Sequence, residues 1–257
     1  MSTPPVTTAA TPGARLSGKR AVVTGGARGI GAAIARRLAA DGATVALLDR
    51  LADPGESVAA EIDGRFVPVD LSDAQATRDG LGEAIDGLGG IDILVNNAGI
   101  LRFSPLLDIP VEDWDLMFAI NTRPMLVTTQ VAARRMIEDG VAGTIINLAS
   151  MAGKAGGAGQ AHYAASKAAV IALTRVTALE LGCHGITANC LCPGYVLTEM
   201  GADTRTAADI ELWSSYSPLG RLGEPGDVSA VAAFLASPDA AYLTGQAFNV
   251  TGGMVMH

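Results

Sequence analysis

The sequence predicts an α/β fold in which helices cover both faces of one doubly wound sheet of about seven parallel strands. Three observations support this fold class. Short apolar runs alternate along the chain with segments of helical length, an order typical of strand–helix–strand units. The runs are apolar at nearly every position, as expected of strands that are buried on both faces. Glycines and polar residues follow directly after the runs, at the edge of such a sheet where ligands bind.

The seven predicted strands are separated by segments with helical periodicity. After the first strand, Ile30, Ile34 and Leu38 share one helix face. Gly42 follows at the position of a helix-ending glycine. Another helix is predicted to begin near Pro54, before the third strand. The predicted strands are Arg20–Gly26, Thr44–Asp49, Arg65–Asp70, Ile91–Gly99, Gly143–Ser150, Thr187–Gly194 and Gln246–Gly253.

No linker or internal repeat divides this order of elements, so we predict one domain over residues 17–257. A helix through residues 81–88 leads into the fourth strand. Residues 1–16 are rich in Pro, Thr and Ala, a composition that predicts a flexible tail.

Composition and charge exclude several classes of partner. Hydrophobic residues make up 49% of the 257 residues, yet no apolar run reaches the roughly 18 residues needed to cross a bilayer. The net charge is −8, and an acidic surface repels the phosphate backbone of nucleic acids. We therefore expect no membrane and no nucleic-acid partner.

Cysteine usage predicts a cytoplasmic protein without a metal site. Residues 1–16 lack the basic start and apolar core of a secretory signal. The three cysteines, Cys183, Cys190 and Cys192, fit a reducing compartment. They are too few and too closely spaced for a zinc site without further ligands. We expect Cys190 and Cys192 to act as small buried hydrophobic residues on one face of a strand.

A glycine-rich loop joins the first strand to the first helix. The segment TGGARGIG, residues 24–31, places glycines at 25, 29 and 31. Glycines permit a tight turn and a close approach of a phosphate group to a helix N-terminus. Asp49 stands at the end of the second strand, where a carboxylate binds a ribose in Rossmann-type folds. The alternative is an ordinary strand–helix turn, and the context favours dinucleotide binding.

A second segment, SMAGKAGGAGQAHYAASK, residues 150–167, suggests acid–base chemistry. Tyr163 and Lys167 are four residues apart and share one helix face. A tyrosine has a pKa near 10, and a neighbouring ammonium is expected to lower it. Tyr163 would then serve as a general acid or base, with Ser150 at a strand end beside it. The alternative for the Tyr–Lys pair alone is a surface pair on a helix.

In order and spacing, four motifs resemble those of the short-chain dehydrogenase/reductase family. They are TGGARGIG, NNAG at residues 96–99, YAASK at 163–167 and PGYVLT at 193–198. The resemblance runs from Leu16 to the C-terminus. It implies an oxidoreductase that transfers a hydride between a nicotinamide cofactor and a secondary alcohol or ketone.

The resemblance also assigns residues. It implies the catalytic residues Asn121, Ser150, Tyr163 and Lys167. Pro124 is expected to kink a long helix beside Asn121, because proline removes a helical hydrogen bond. The implied cofactor-binding residues are Gly25, Arg28, Gly29, Ile30, Gly31, Asp49, Arg50, Asp70, Leu71, Asn97, Ala98, Gly99, Tyr163, Lys167, Pro193, Gly194, Val196 and Thr198.

Charge near the ribose predicts NAD rather than NADP. The Asp49 carboxylate can accept hydrogen bonds from ribose hydroxyls and would repel a 2′-phosphate. Arg28 and Arg50 argue in the other direction, since family members that use NADP often carry a base at the position of Arg28. The contact charge of Asp49 is expected to dominate, so NADP is the less favoured cofactor.

The resemblance places a variable substrate lid at about residues 195–218. The predicted substrate-binding residues are Ser150, Met151, Tyr163, Met200 and Trp213, with further apolar candidates at Leu101, Phe103, Leu212 and Tyr216. The apolar candidates of the lid could equally form a helix that packs on its own domain.

Three functions remain open at this stage. The C-terminal segment resembles family members that act on polyols and sugar alcohols, which favours an NAD-dependent dehydrogenase of such substrates. One alternative is a 3-oxoacyl-thioester reductase that uses NADP(H). The other is a dinucleotide-binding regulator without catalysis, although such proteins typically lose the tyrosine or lysine. The apolar C-terminal strand and tail imply a homotetramer in this family.

Overall fold

The computed structural model describes residues 15–199 and 206–257, and it contains the predicted seven-stranded parallel sheet. The strands lie in the order β3-β2-β1-β4-β5-β6-β7. Their bounds are β1 Arg20–Thr24, β2 Thr44–Asp49, β3 Arg65–Pro68, β4 Ile93–Asn96, β5 Thr144–Leu148, β6 Thr187–Pro193 and β7 Ala247–Val250. All six pairings are parallel. The predicted fold class is therefore confirmed.

Nine α-helices connect or follow these strands in the described residues. Their bounds are α1 Gly29–Ala40, α2 Ala52–Glu61, α3 Ala74–Leu88, α4 Val111–Asn121, α5 Arg123–Glu138, α6 Ala152–Ala155, α7 Ala161–Leu181, α8 Ala207–Ser215 and α9 Pro225–Ala236. Helices α1 and α9 pack on one face of the sheet around Ile34, Leu38 and Val228. Helices α3 and α5 cover the other face, around Leu81 and Met136.

The N-terminal boundary of the folded domain lies at least one residue earlier than predicted. Leu16 was assigned to the flexible tail, yet its side chain is fully buried in the core beside α1. Its amide donates to the carbonyl of Asp41 over 2.8 Å. The predicted tail lies otherwise almost entirely outside the described residues.

The strand order reverses between β1 and β4, and this reversal positions the candidate site. Strand β1 continues outward to β2 and β3, while β4 continues to β5, β6 and β7. The crossover connections of the two halves therefore diverge and leave a crevice beyond the carboxyl ends of β1 and β4. Thr24 and Asn96 are paired at those ends, so the glycine loop and the NNAG segment meet there.

The predicted kink beside Asn121 is a complete break between two helices. Helix α4 ends at Asn121, and α5 begins at Arg123. Thr122 between them has φ −124° and ψ −53°. Pro124 lies in the first turn of α5, where its missing N–H removes no helical hydrogen bond. The proline thus starts a new helix instead of bending a continuous one.

A chain of buried polar side chains crosses the middle of the sheet, and we call it the amide ladder. Thr128 of α5 donates to Asn96 Oδ1 over 2.7 Å, and Asn96 Nδ2 donates to Asn147 Oδ1 over 2.9 Å. Asn147 Nδ2 then donates to Thr174 Oγ1 of α7 over 2.9 Å. All four side chains have essentially no exposed surface. Strands β4 and β5 are therefore joined to α5 and α7 by side-chain hydrogen bonds.

Candidate active site

A cavity of about 330 Å³ opens at the carboxyl ends of the strands. It runs from Asp49 and Asp70 at one end to Ser150 and Tyr163 at the other. The predicted site residues that line it are Gly25, Arg28, Gly29, Ile30, Asp49, Arg50, Asp70, Leu71, Asn97, Ala98, Gly99, Ser150, Tyr163, Lys167, Pro193, Gly194, Val196, Thr198 and Trp213.

The glycine loop forms the floor of this cavity. Gly25 and Gly29 have φ of +66° and +57°, values that residues with a Cβ rarely adopt. A Cβ at Gly25 would lie 2.7 Å from Ala98 Cα, so the loop packs directly against the NNAG segment. Asn97 Nδ2 holds this contact by donating to the carbonyls of Thr24 and Gly25 over 3.1 and 2.9 Å. The N-terminus of α1 consequently faces the cavity, as a phosphate site requires.

Gly31, a predicted cofactor-binding residue, packs beneath the glycine loop. Gly31 is buried and does not line the cavity. A Cβ there would lie 2.0 Å from the Gly25 carbonyl oxygen and 2.4 Å from Asn97 Nδ2. Gly31 therefore lets the first turn of α1 lie directly beneath the loop, and its role is to support the loop from below.

Two carboxylates mark the end of the cavity beyond β2 and β3. Asp49 Oδ2 accepts from the Ala27 amide and Oδ1 accepts from the Leu51 amide, each over 3.1 Å. Asp49 thus joins the glycine loop to the end of β2. Asp70 Oδ1 accepts from the Ser72 amide over 2.9 Å. Hydrogen bonds from Ser72, and then the charge of Arg50, lower the pKa of the Asp70 carboxyl.

The other end of the cavity holds three of the four predicted catalytic residues. Ser150 follows β5, while Tyr163 and Lys167 lie on the first two turns of α7. Ser150 lies beside the Tyr163 phenol, close enough for its side chain to act on the pKa of the phenol by hydrogen bonding. The Ser150 hydroxyl also accepts from the Ala152 amide over 3.1 Å. The serine hydroxyl is therefore held next to the phenol at the cavity wall.

The prediction that Lys167 lowers the pKa of Tyr163 was wrong. Burial raises the pKa of the Tyr163 phenol, and the hydrogen bond with Ser150 is what opposes this rise. Burial also lowers the pKa of Lys167 to about 8. The Lys167 ammonium donates to the Leu148 carbonyl over 2.8 Å and lies 5.9 Å from the centre of the tyrosine ring. Desolvation of both groups thus outweighs their proximity.

Asn121 lies behind the cavity wall and does not line the cavity. Its Oδ1 accepts from the Ile100 amide over 2.8 Å, and its Nδ2 donates to the Ile100 carbonyl over 3.0 Å. Gly99 separates Asn121 from Lys167, since a Cβ there would lie 3.1 Å from Asn121 Oδ1 and 3.3 Å from Lys167 Nζ. The asparagine therefore supports the segment after NNAG and does not reach the open cavity.

The substrate side was predicted only in part. Trp213 of α8 lines the cavity and stacks on Tyr195, with ring centroids 4.7 Å apart and planes 9° apart. Leu101 and Phe103 also line it. Met151, the N-cap residue of the short α6, does not line the cavity. Met200 lies outside the described residues.

Two further lid candidates do not line the cavity. Leu212 on α8 and Tyr216, which caps the end of α8, are 51% and 52% exposed. Among the lining residues that were missed are Gln160, Tyr195 and Glu199. Only their position in the sequence could have identified them. Gln160 precedes Tyr163 by one helical turn, and Tyr195 and Glu199 flank the predicted Val196 and Thr198.

The cysteines are placed as expected. Cys190 and Cys192 are fully buried on the face of β6 that packs against α7. No cluster of potential metal ligands is found among the described residues. Within residues 15–199 and 206–257, no helix is both long and apolar enough to span a membrane.

Comparison with known proteins identifies the family. A family model described as enoyl-(acyl carrier protein) reductase matches residues 25–255. The chain is 40% identical to a sorbitol dehydrogenase of Cereibacter sphaeroides, over 93% of this chain and 98% of that protein. It is 39% identical to a 3-oxoacyl-[acyl-carrier-protein] reductase of Vibrio harveyi, over 94% of this chain and 99% of that protein.

A solved structure agrees with these matches. The crystal structure of a short-chain type dehydrogenase/reductase from Mycobacterium marinum superposes with a TM-score of 0.88. The two sequences are 38% identical, and the match covers 94% of this chain and 97% of the other. The chain therefore belongs to the short-chain dehydrogenase/reductase family, whose members bind a nicotinamide cofactor, and it is an oxidoreductase that acts on an alcohol or a ketone.

Proposed function

We propose that this protein is an NAD-dependent dehydrogenase of a secondary alcohol, with a polyol or sugar alcohol as substrate. The observation that carries this proposal is the joint position of Ser150, Tyr163 and Lys167 in one cavity with the glycine loop. The loop supplies a phosphate site at the N-terminus of α1. The three side chains at the other end of the cavity supply proton transfer. A nicotinamide dinucleotide fits this donor set.

The proposed mechanism assigns one role to each side chain. The bound nicotinamide supplies or accepts the hydride. Tyr163 accepts the proton of the substrate hydroxyl during oxidation and returns it during reduction. Ser150 hydrogen-bonds the tyrosine oxygen and the substrate oxygen, and so holds the two together. Burial lowers the pKa of Lys167 to about 8. Its amine can therefore exchange a proton with the site at physiological pH.

Asp49 supports NAD as the preferred cofactor. Its carboxylate is fixed at the end of β2 by two backbone amides, in the part of the cavity that would hold the adenosine ribose. A 2′-phosphate there would face a negative charge at contact distance, which is unfavourable at any effective dielectric constant of a protein surface. Arg28 and Arg50 also line this end, and they make NADP the second candidate.

The lining of the catalytic end supports a neutral, hydroxylated substrate. Among the described lining residues, the basic side chains are Arg28 and Arg50 at the adenine end and Lys167 beside Tyr163. No group among the described residues hydrogen-bonds the side-chain amide of Gln160. This amide is therefore available to a substrate hydroxyl. The similarity to a sorbitol dehydrogenase agrees with this choice.

The second candidate is a 3-oxoacyl-thioester reductase that uses NADPH. It is favoured by the similarity to the Vibrio harveyi enzyme and by the two arginines at the adenine end. Absorbance at 340 nm with NAD and a panel of polyols, compared with NADPH and acetoacetyl thioesters, distinguishes the two candidates. We expect turnover with at least one polyol. Turnover only with NADPH and a thioester would overturn the proposal.

Tyr163→Phe tests the proton-transfer role directly. This substitution removes one oxygen from a half-buried side chain, so the fold should persist. We expect kcat to fall by at least about 1,000-fold, the scale of loss of a general acid–base together with its oriented hydrogen bond. NADH affinity, measured by fluorescence titration, should change little. Activity within tenfold of wild type would refute the assignment of Tyr163.

We further propose that the chain forms a homotetramer. Strand β7 at the sheet edge is only half-buried. Tyr242 is fully exposed before it, and Met256 is 79% exposed after it. An apolar sheet edge of this kind is a natural subunit contact. Light scattering that gives the mass of a monomer would contradict this.

A further inference from the structure

Ser166 connects two members of the proposed catalytic set, and the sequence motifs assigned it no role. Its side chain is fully buried on α7, directly before Lys167. Ser166 Oγ donates to the Tyr163 carbonyl over 2.7 Å. The same oxygen accepts from Asn121 Nδ2 over 3.1 Å. One hydroxyl group therefore contacts both the tyrosine backbone and the asparagine side chain.

The hydrogen-bond inventory of Asn121 is complete only with Ser166. The Ile100 amide is a donor, so the Asn121 atom that faces it must be the acceptor Oδ1. Nδ2 then has two protons, of which one goes to the Ile100 carbonyl and the other to Ser166 Oγ. Both protons of this amide are therefore taken up by the protein itself, and one lone pair of Oδ1 remains. Asn121 thus acts by holding the backbone at Ile100 in place, and Ser166 fixes the orientation of the Asn121 amide.

Ser166 also holds the break between α4 and α5 against α7. Thr122, the residue between the two helices, donates from Oγ1 to the Ser166 carbonyl over 3.1 Å. The side chain and the backbone of Ser166 therefore receive hydrogen bonds from two consecutive residues at the break. The phenol of Tyr163 lies one turn before this contact, so its position depends on the same junction.

We propose that Ser166 is a positioning residue of the oxidoreductase reaction, which holds Tyr163 and Asn121 in register across the α4–α7 contact. This inference rests on the proposed function, because it assumes that Tyr163 transfers the proton. Removal of the Ser166 hydroxyl leaves a fully buried amide proton of Asn121 without an acceptor and frees the first turn of α7. The phenol then loses its fixed distance to Ser150.

Ser166→Ala is the test variant, and Thr174→Val is its matched control. Thr174 lies two turns further along α7, is equally buried, donates to the Val170 carbonyl over 2.8 Å and accepts from the Asn147 amide over 2.9 Å. Both substitutions remove a buried hydroxyl that joins an asparagine amide to a helical carbonyl. They differ in that Thr174 touches none of the proposed catalytic residues.

We expect kcat of Ser166→Ala to fall by about 10- to 100-fold, the loss found when a catalytic group is displaced by about 1 Å. The pH at which alcohol oxidation is half-maximal should rise, since hydrogen bonding with Ser150 is what opposes the rise that burial causes in the pKa of Tyr163. NADH affinity should stay within about twofold, because the dinucleotide site is untouched. Thr174→Val should keep the kcat and the pH profile of the wild type.

A second variant serves if Ser166→Ala does not fold. Ser166→Cys keeps the volume but weakens the hydrogen bonds, so it should show the same fall in kcat and the same rise in half-maximal pH, each of smaller magnitude.

A double-mutant cycle tests whether Ser166 acts through Asn121. We expect Ser166→Ala combined with Asn121→Ala to be no slower than Asn121→Ala alone. Multiplicative losses, equal losses in Ser166→Ala and Thr174→Val, or an unchanged pH profile would each overturn the inference. If Tyr163→Phe retains activity, the proposed function fails instead, and this separates the two failures.

Discussion

Lys167→Met should make the protein more stable at neutral pH, and the gain should shrink as the pH rises. The Lys167 side chain is 4% exposed, and burial lowers its pKa from 10.5 to about 8. Between these two values the unfolded chain binds the proton and the folded chain does not. Wild-type stability therefore rises with pH across this window. The cost of the buried ammonium is fully present below pH 8 and absent above pH 10.5.

The size of this cost follows from the two pKa values. A difference of about 2.5 units corresponds to about 3.4 kcal/mol, at 1.36 kcal/mol per unit. At pH 7 nearly all of this cost applies, and at pH 10 the same linkage relation leaves about 1 kcal/mol. The substitution also removes the hydrogen bond to the Leu148 carbonyl, a loss of about 1 kcal/mol that does not depend on pH to first order. We therefore expect a net gain of about 2 kcal/mol at pH 7 and none at pH 10.

Urea unfolding at pH 7 and pH 10 measures this difference, with tryptophan fluorescence as the signal. Protein concentration is held equal in all samples, since assembly would otherwise change the apparent stability. Lys154→Met is the matched control, because Lys154 also donates to a backbone carbonyl, that of Ala247, over 2.8 Å. We expect the control to lose stability at pH 7. The reasoning is refuted if the stability difference between Lys167→Met and wild type is the same at both pH values.

Two further predictions concern the cofactor end of the cavity. Gly31→Ala should abolish NADH binding and lower stability by at least about 2 kcal/mol, since its Cβ would lie 2.0 Å from the Gly25 carbonyl oxygen and such overpacking forces the backbone to move. Fluorescence titration and thermal unfolding measure both effects, and a variant that binds NADH normally would contradict the close packing. Asp49→Ala should raise the ratio of kcat/KM with NADP to that with NAD by at least about tenfold, because a charge that repels the 2′-phosphate is removed. Steady-state kinetics with both cofactors provides the check, and an unchanged ratio would show that Asp49 does not face the ribose.

The sequence was sufficient to predict the sheet and the convergence of the site. Each strand carries its own apolar run, and parallel strands present their carboxyl ends at one edge. Residues as far apart as Asp49 and Tyr163 could therefore be placed in one cavity from local patterns. The ends of the helices and strands were predicted less accurately. Helix α3, which was predicted through residues 81–88, begins at Ala74 because the Asp73 side chain caps it by accepting from two backbone amides.

The features of the site that the sequence did not predict depend on tertiary packing that no local pattern contains. The pKa of Tyr163 is set by how deeply α7 packs into the domain, and helix spacing gives only the distance to Lys167. The support role of Gly31 follows from the loop that lies above it. The place of Asn121 behind the wall follows from its bonds with Ile100, a residue twenty-one positions earlier.

The amide ladder has a consequence for how the chain finds its native sheet. Strands such as β4, with the sequence ILVN, are buried on both faces and mostly aliphatic, so a slipped pairing would bury almost the same hydrocarbon surface and gain nearly the same energy. A slip of β4 against β5 would separate Asn96 from Asn147 and leave their amides unpaired in a dry interior. Two asparagines thus distinguish the native alignment from its near neighbours, a discrimination that the aliphatic side chains around them cannot provide.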